Sequence, residues 1–318
     1  MIERLTLAEW QAFDALHPAP TFFARPAWAM ALTETEPGTA PVLLRIRSGR
    51  DRAVLLPVLC EQRSALSLRH LTAFPLGGYS CFMYEDGTMA DAESAQRAIK
   101  EALRYAHSIA ITPWPLGPGL AGRPSAVHET GVIDLSNGLD AALAGVDGCY
   151  RRMAGQAERR GVTCAVSREP GAAQTYYELL CESAKRWGIP EPVRRKALIE
   201  ALVRYGGEDV EIWFAHAEGK AIAGGIVFYG SSEFFFWSAA MLAEYGRLRP
   251  SNALNFALLR AAASRGMHWY NLGSSEGLPG VARFKRDLGA QDVRYNEYAF
   301  ARTPLNVYRT VRRTLARA

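Results

Sequence analysis

The sequence predicts an α+β protein of two domains that combine helices with a largely meandering sheet. Three observations carry this expectation. A chain of 318 residues is longer than a single hydrophobic core usually supports, so two domains of ordinary size are expected. Residues 221–229 and 234–240 are short apolar runs, rich in aromatic and branched side chains, on either side of the turn residues Gly230, Ser231 and Ser232. This pattern is that of a hairpin buried on at least one face. Residues 113–124 are dense in proline and glycine, the composition of a domain edge. The expected division is a domain over residues 1–130, a second over 131–301, and a basic tail over 302–318.

From the amino terminus, Thr6 and Thr21 are candidate caps, and residues 8–16 and 27–33 have helical composition around Trp10, Phe13, Trp28 and Met30. Residues 41–47 and 53–59 alternate as strands about a Ser48, Gly49, Arg50, Asp51 turn. A strand over 66–73 leads to the paired Gly77 and Gly78, a helix follows over 91–107, and a strand over 108–112. In the second half a strand over 132–135 precedes one long helix, capped by Ser136 or Asn137, that runs to Arg159 and Arg160 and stops at Gly161. A strand over 162–167, helices over 172–187 and 193–205 and a strand over 209–216 lead into the hairpin. After it come a basic loop over 244–250, a helix opened by Ser251 and Asn252, a strand over 268–272, a glycine-rich loop over 273–280, and a last strand over 291–301.

Composition excludes several classes. About half the residues are apolar, 49%, which suits a packed protein and argues against disorder. The formal charge of +5 comes almost wholly from arginine, the only lysines being Lys100, Lys185, Lys196, Lys220 and Lys285. Such modest basicity is compatible with an anionic partner. The five cysteines lack paired spacing and read as reduced core residues, with no metal site among them. No run is long enough to span a membrane and no signal segment opens the chain. A cytoplasmic protein is expected.

Three segments carry a family resemblance: Arg249, Pro250, Ser251, Asn252, Ala253, Leu254; then Tyr270, Asn271, Leu272, Gly273; then Phe284, Lys285, Arg286, Asp287, Leu288, Gly289, Ala290. In these the chain resembles the FemABX-like branch of the GNAT acyltransferase superfamily. The resemblance covers residues 150–301 well and the first half loosely, through Trp28 and the Leu76, Gly77, Gly78, Tyr79 segment. It implies two GNAT-like domains, each a mixed, mostly antiparallel sheet with flanking helices, and transfer of an acyl group to an amine. Several members take an amino acid from its tRNA ester; relatives use acyl-CoA or carrier-protein thioesters. No tightly bound cofactor is implied, and the implied partners are tRNA and a small amine acceptor, not DNA. Where members that lengthen the peptidoglycan bridge carry a lysine, this chain has Leu32, and the strand-end acid common in the family is Asn271.

Acyl transfer gathers negative charge on a carbonyl oxygen, and a fixed cation beside that oxygen lowers the barrier. Lys285 fits this need: it is one of few lysines, it follows a strand-end loop, and the family's matching lysine lies by the reacting ester. Phe284 forms the adjacent wall or stacks on a base, and Arg283 flanks the pair. Arg247 and Arg249 precede a helix whose first amides face the loop, an anion site for tRNA or pantetheine phosphates. This loop has Gly246 alone where ordinary acetyl-CoA enzymes use two glycines. Asn252, Asn255, Tyr245 and Trp237 are further substrate-binding candidates, and Glu276 is a candidate proton acceptor. A module of another class, basic and RNA-binding without catalysis, fits the same charges.

Overall fold

The computed structural model describes residues 1–49, 51–63, 68–73, 76–275 and 277–302. They form two compact units. The first takes Met1–Ala19, Phe23–His128 and the described residues from Arg294 on; the second takes Pro20–Phe22 and Glu129–Val293. Residues 294–301, placed in the second domain from sequence, thus lie in the first unit, where residues 298–301 pair with a strand. Of the expected tail, residues 303–318 lie outside the described residues.

In the first unit the order is β1 (Ile2–Leu5), α1 (Leu7–Leu16), α2 (Pro26–Thr35), β2 (Thr39–Ile46), β3 (Val54–Arg63), β4 (Leu68–Thr72), β5 (Met83–Tyr84), α3 (Ala92–Tyr105) and β6 (Ser108–Ile111). Thr6 starts α1 through a reciprocal cap with Glu9, which satisfies amides that the first turn leaves open. Helix α3 turns Ala95, Ala98, Ile99 and Ala102 onto a core shared with Val42, Leu44, Leu56, Val58 and Ile109.

The second unit begins within β7 (Ala126–Asp134) and contains α4 (Gly138–Gly145), α5 (Gly148–Arg159), β8 (Thr163–Ser167), α6 (Ala172–Arg186), α7 (Lys196–Gly206), β9 (Val210–Ala217), β10 (Lys220–Tyr229), β11 (Glu233–Met241), α8 (Pro250–Ser264), β12 (Trp269–Asn271) and α9 (Pro279–Asp287); β13 (Gln291–Ala301) is the last described element. The single long helix expected after residue 136 is two helices. The break falls at Val146 and Asp147, where the Asp147 carboxylate accepts from the amides of Cys149 and Tyr150 at 2.7 and 3.2 Å. An acid placed to cap new amides starts a second helix instead of continuing the first.

Strand pairing follows one scheme in both units. In the second, β8, β9, β10 and β11 pair antiparallel in turn, β11 and β12 run parallel, and β12 pairs antiparallel with β7. In the first, β1 to β4 pair antiparallel in turn, β4 and β6 run parallel, and β6 pairs antiparallel with β13 through Tyr298 and Ile111. The fold is therefore α+β with two GNAT-like domains whose sheets are mixed and mostly antiparallel. Among the described residues no helix is long and apolar enough to cross a membrane.

Candidate active site

The hairpin of β10 and β11 supplies one wall of the site. Its ladder slips between Ile226 and Val227: Ile226 faces Ser238 but Val227 faces Phe236, so Trp237 is the extra residue of a bulge. Bulges re-aim side chains and twist the strand that carries them. The Trp237 carbonyl accepts from Arg194 Nη2 at 3.1 Å, and the Arg194 guanidinium lies over the indole at 4.9 Å. Gly225 makes room for the next aromatic, because a Cβ there would meet Phe236 Cε2 at 2.2 Å. Beneath the hairpin, Tyr176 of α6 donates to Ser238 Oγ at 2.6 Å. Burial pushes the Tyr176 phenol up to about 12, so it stays a neutral donor.

The second wall forms where β12 ends. Asn271 is fully buried, and its amide is engaged on both sides: Oδ1 accepts from Thr130 Oγ1 at 2.5 Å and from the Gly273 amide at 2.9 Å, while Nδ2 donates to Glu233 at 2.8 Å. This asparagine fixes the start of the loop. Gly273 leaves the strand at φ +71°, a conformation that favours glycine. Helix α9 then begins at Pro279, a residue suited to a first turn because its missing N–H has no partner to lose. Lys285, on the last turn of α9, is 7% exposed. Its Nζ donates to the carbonyls of Gly273 and Ser274, each at 2.7 Å. Its stem passes Gly131, where a Cβ would come within 3.3 Å of Lys285 Cδ.

Between these walls is a cavity of about 310 Å³. Phe236, Trp237, Leu254, Leu272, Val281 and Phe284 give it an apolar lining; Ser183, Ser238, Ser251, Asn255, Arg186 and Lys285 supply polar groups, and Trp187 stands at it as well. Among its described lining residues none is a carboxylate. A buried ammonium in an apolar wall interacts with a nearby oxygen far more strongly than it does in water. The arrangement suits a reaction in which a carbonyl oxygen gains charge.

Of the residues singled out from sequence, the structure brings Trp237, Asn255, Phe284 and Lys285 to this cavity. Phe284 also packs against Tyr150, ring centroids 5.3 Å apart, and Asn255 Oδ1 accepts from Tyr270 at 3.2 Å. Asn252 is buried beside Tyr150 and does not cap α8. That helix starts at Pro250, with Arg249 before it in the left-handed region at φ +60°, which makes Asn252 the third helical residue. Tyr245 packs on the core of the second unit with Lys220 Nζ 5.2 Å over its ring. Arg247 and Arg249 are exposed in and just after a 3₁₀ turn over Ala243–Leu248. Arg283 is exposed and faces Asp287 at 3.8 Å. Glu276 lies outside the described residues. Sequence reasoning missed Ser183, Arg186 and Trp187. Ser183 is fully buried on the same face of α6 as Tyr176, Leu179 and Leu180, and a polar residue on an apolar helical face was the available signal. Among the described residues no cluster of His, Cys, Asp and Glu is arranged to hold a metal ion.

A family model described as an acetyltransferase (GNAT) domain matches residues 148–286, a stretch that holds every lining residue of the cavity. Over this stretch, which is less than half of the chain, the protein matches a GNAT-type transferase domain. Among solved structures, FemX superposes with a TM-score of 0.72 at 15% identity, over 96% of this chain and 98% of that one, and the chain has the fold of the FemABX-like branch. A conserved protein of unknown function from Bacteroides thetaiotaomicron follows with a TM-score of 0.58 at 12% identity, over 94% and 99% of the two chains. L-PGS from Bacillus licheniformis gives 0.53 at 13% identity, over 98% and 97%. A comparison with curated proteins finds no match in sequence.

Proposed function

We propose that this acyltransferase makes an amide by moving an aminoacyl group from aminoacyl-tRNA to the amine of a small acceptor in the cytoplasm. The observation that carries the reading is Lys285, a buried ammonium positioned by two carbonyls in the wall of a largely apolar cavity. The acceptor nitrogen attacks the ester carbonyl carbon, a C–N bond forms, and the carbonyl oxygen takes up negative charge beside Lys285 Nζ. The C–O bond to the ribose then breaks, and a proton from the nitrogen leaves with the departing oxygen. A cation fixed in advance at that oxygen stabilises the transition state without reorganisation at the moment of reaction. Phe284 and Trp237 wall the acyl group, and Asn255 with Ser251 presents polar atoms to the acceptor.

The start of α8 favours a tRNA ester over a CoA thioester. Glycine cradles wrap a pyrophosphate with backbone amides, whereas here Gly246 stands alone and Pro250 at the first helical position offers no N–H. Exposed guanidinium groups, those of Arg247 and Arg249, take that place and suit phosphates spread along a nucleic acid. The test is to supply charged tRNA or acyl-CoA with a mixed pool of small amines and identify products by mass. Amide from charged tRNA alone is the expected result. Amide from acyl-CoA alone would assign a thioester donor, and charged-tRNA binding without product for any amine would indicate an RNA-binding module.

A further inference from the structure

Many described arginines of this chain face a carboxylate: Arg168 and Arg265 face Glu211, Arg260 faces Glu158, and Arg286 faces Asp292. Helix α5 and the turn before α8 break this habit. Arg151, Arg152, Arg159, Arg160, Arg247 and Arg249 are all exposed, and among the described residues none of them forms an ion pair. The two elements meet, since Arg160 Nη1 donates to the Arg247 carbonyl at 2.5 Å, and α5 packs along α8. The nearby acid on α5, Glu158, is engaged by Arg260 at 3.7 Å, and Asp147 is engaged in capping. Helix α5 buries Tyr150, Ala154 and Ala157, a face roughly opposite Arg152, Gly155 and Arg159 at 100° per residue.

We propose that α5 and the turn before α8 form one surface that binds the sugar-phosphate backbone of the donor tRNA beyond its acylated end. The inference rests on the tRNA reading and extends it from the ester to the double-stranded stem. Uncompensated arginines repel one another on a free surface, and an array of phosphates relieves that repulsion while releasing counterions. The array holds more cations than the tail of a coenzyme A has phosphate groups. A membrane is the weaker match, because interfacial helices insert an apolar face, and the apolar face of α5 is already buried.

The measurement is fluorescence anisotropy of uncharged tRNA, and of a short 3′-terminal oligonucleotide without the stem, titrated with the parent and with the Arg151→Gln/Arg152→Gln/Arg159→Gln variant over a range of salt. The variant is expected to bind intact tRNA roughly tenfold more weakly or worse, with a salt slope shallower by about three, and to bind the oligonucleotide as the parent does. Equal tRNA affinity and slope in parent and variant would overturn the surface while leaving the donor reading intact, provided the parent makes amide from charged tRNA. A parent that binds no tRNA overturns both. Loss of sedimentation with phosphatidylglycerol vesicles in the variant, with tRNA binding unchanged, would reassign the surface to lipid. Exposed arginine substitutions leave stability nearly unchanged, and a thermal melt separates binding from unfolding.

Discussion

At the scale of single residues the cysteines show how burial governs chemistry. Burial, helped by Glu158, pushes the Cys164 thiol up to about 12, while Cys149 is exposed and Cys60 and Cys81 are buried. Reactivity follows the thiolate fraction and access. Iodoacetamide at pH 8 is therefore expected to modify Cys149 first and to leave Cys60, Cys81 and Cys164 unlabelled in the folded protein. Peptide mapping reads this directly, and early labelling of Cys164 would contradict it. The sequence marked all five as core residues, and Cys149 departs because it sits in the first turn of α5, where only Tyr150 next to it turns inward. Lys285 was legible because lysine is scarce in this chain and follows a strand-end loop. Arg186 and Trp187 were not, because their place at the cavity comes from how α6 packs on β11, which no local pattern records.

At the scale of elements, periodicity made long segments legible, while short ones were legible only in part. The hairpin, α3, α6 and α8 have apolar spacing that a reader can follow, and β13 was bounded from sequence at the residues observed. Strands β1 and β5, of four and two residues, were missed, whereas β6 and β12, of four and three residues, were expected within 108–112 and 268–272; runs this short do not establish a period by themselves. One buried acid ties several elements of the second unit. Glu211 of β9 accepts from Trp213 Nε1 at 2.8 Å and from Tyr229 of β10 at 2.9 Å, and faces Arg168 and Arg265. Removing a buried charge partner costs about 3–5 kcal/mol when the rest is fully desolvated. Arg168 and Arg265 remain 61% and 38% exposed, so water compensates in part. Glu211→Ala is therefore expected to cost about 2–3 kcal/mol, mostly from lost charge-assisted hydrogen bonds, read by urea unfolding of parent and variant. A change below about 0.5 kcal/mol, the level of ordinary surface substitutions, would show that the hub adds no stability.

At the scale of the whole molecule, the sequence pointed to two domains but not to the identity of their pairing schemes. The reason is topological. In the second unit the strand after the parallel pair is β7, which precedes the others in the chain, whereas in the first it is β13, from the far end. A reading that moves along the chain assigns such a strand to its sequence neighbours, as it did for residues 294–301. The acyl-transfer chemistry attributed to the second unit rests on Lys285, and its removal tests the account most directly. Lys285→Ala, assayed for single-turnover amide formation with saturating donor, is expected to slow the reaction roughly 10²–10³-fold with donor affinity nearly unchanged. Lys285→Arg is expected to recover only part of the rate, because a broad planar guanidinium cannot occupy the position of a compact ammonium. A folded Lys285→Ala protein that turns over within a fewfold of the parent would contradict the account and place the chemistry elsewhere.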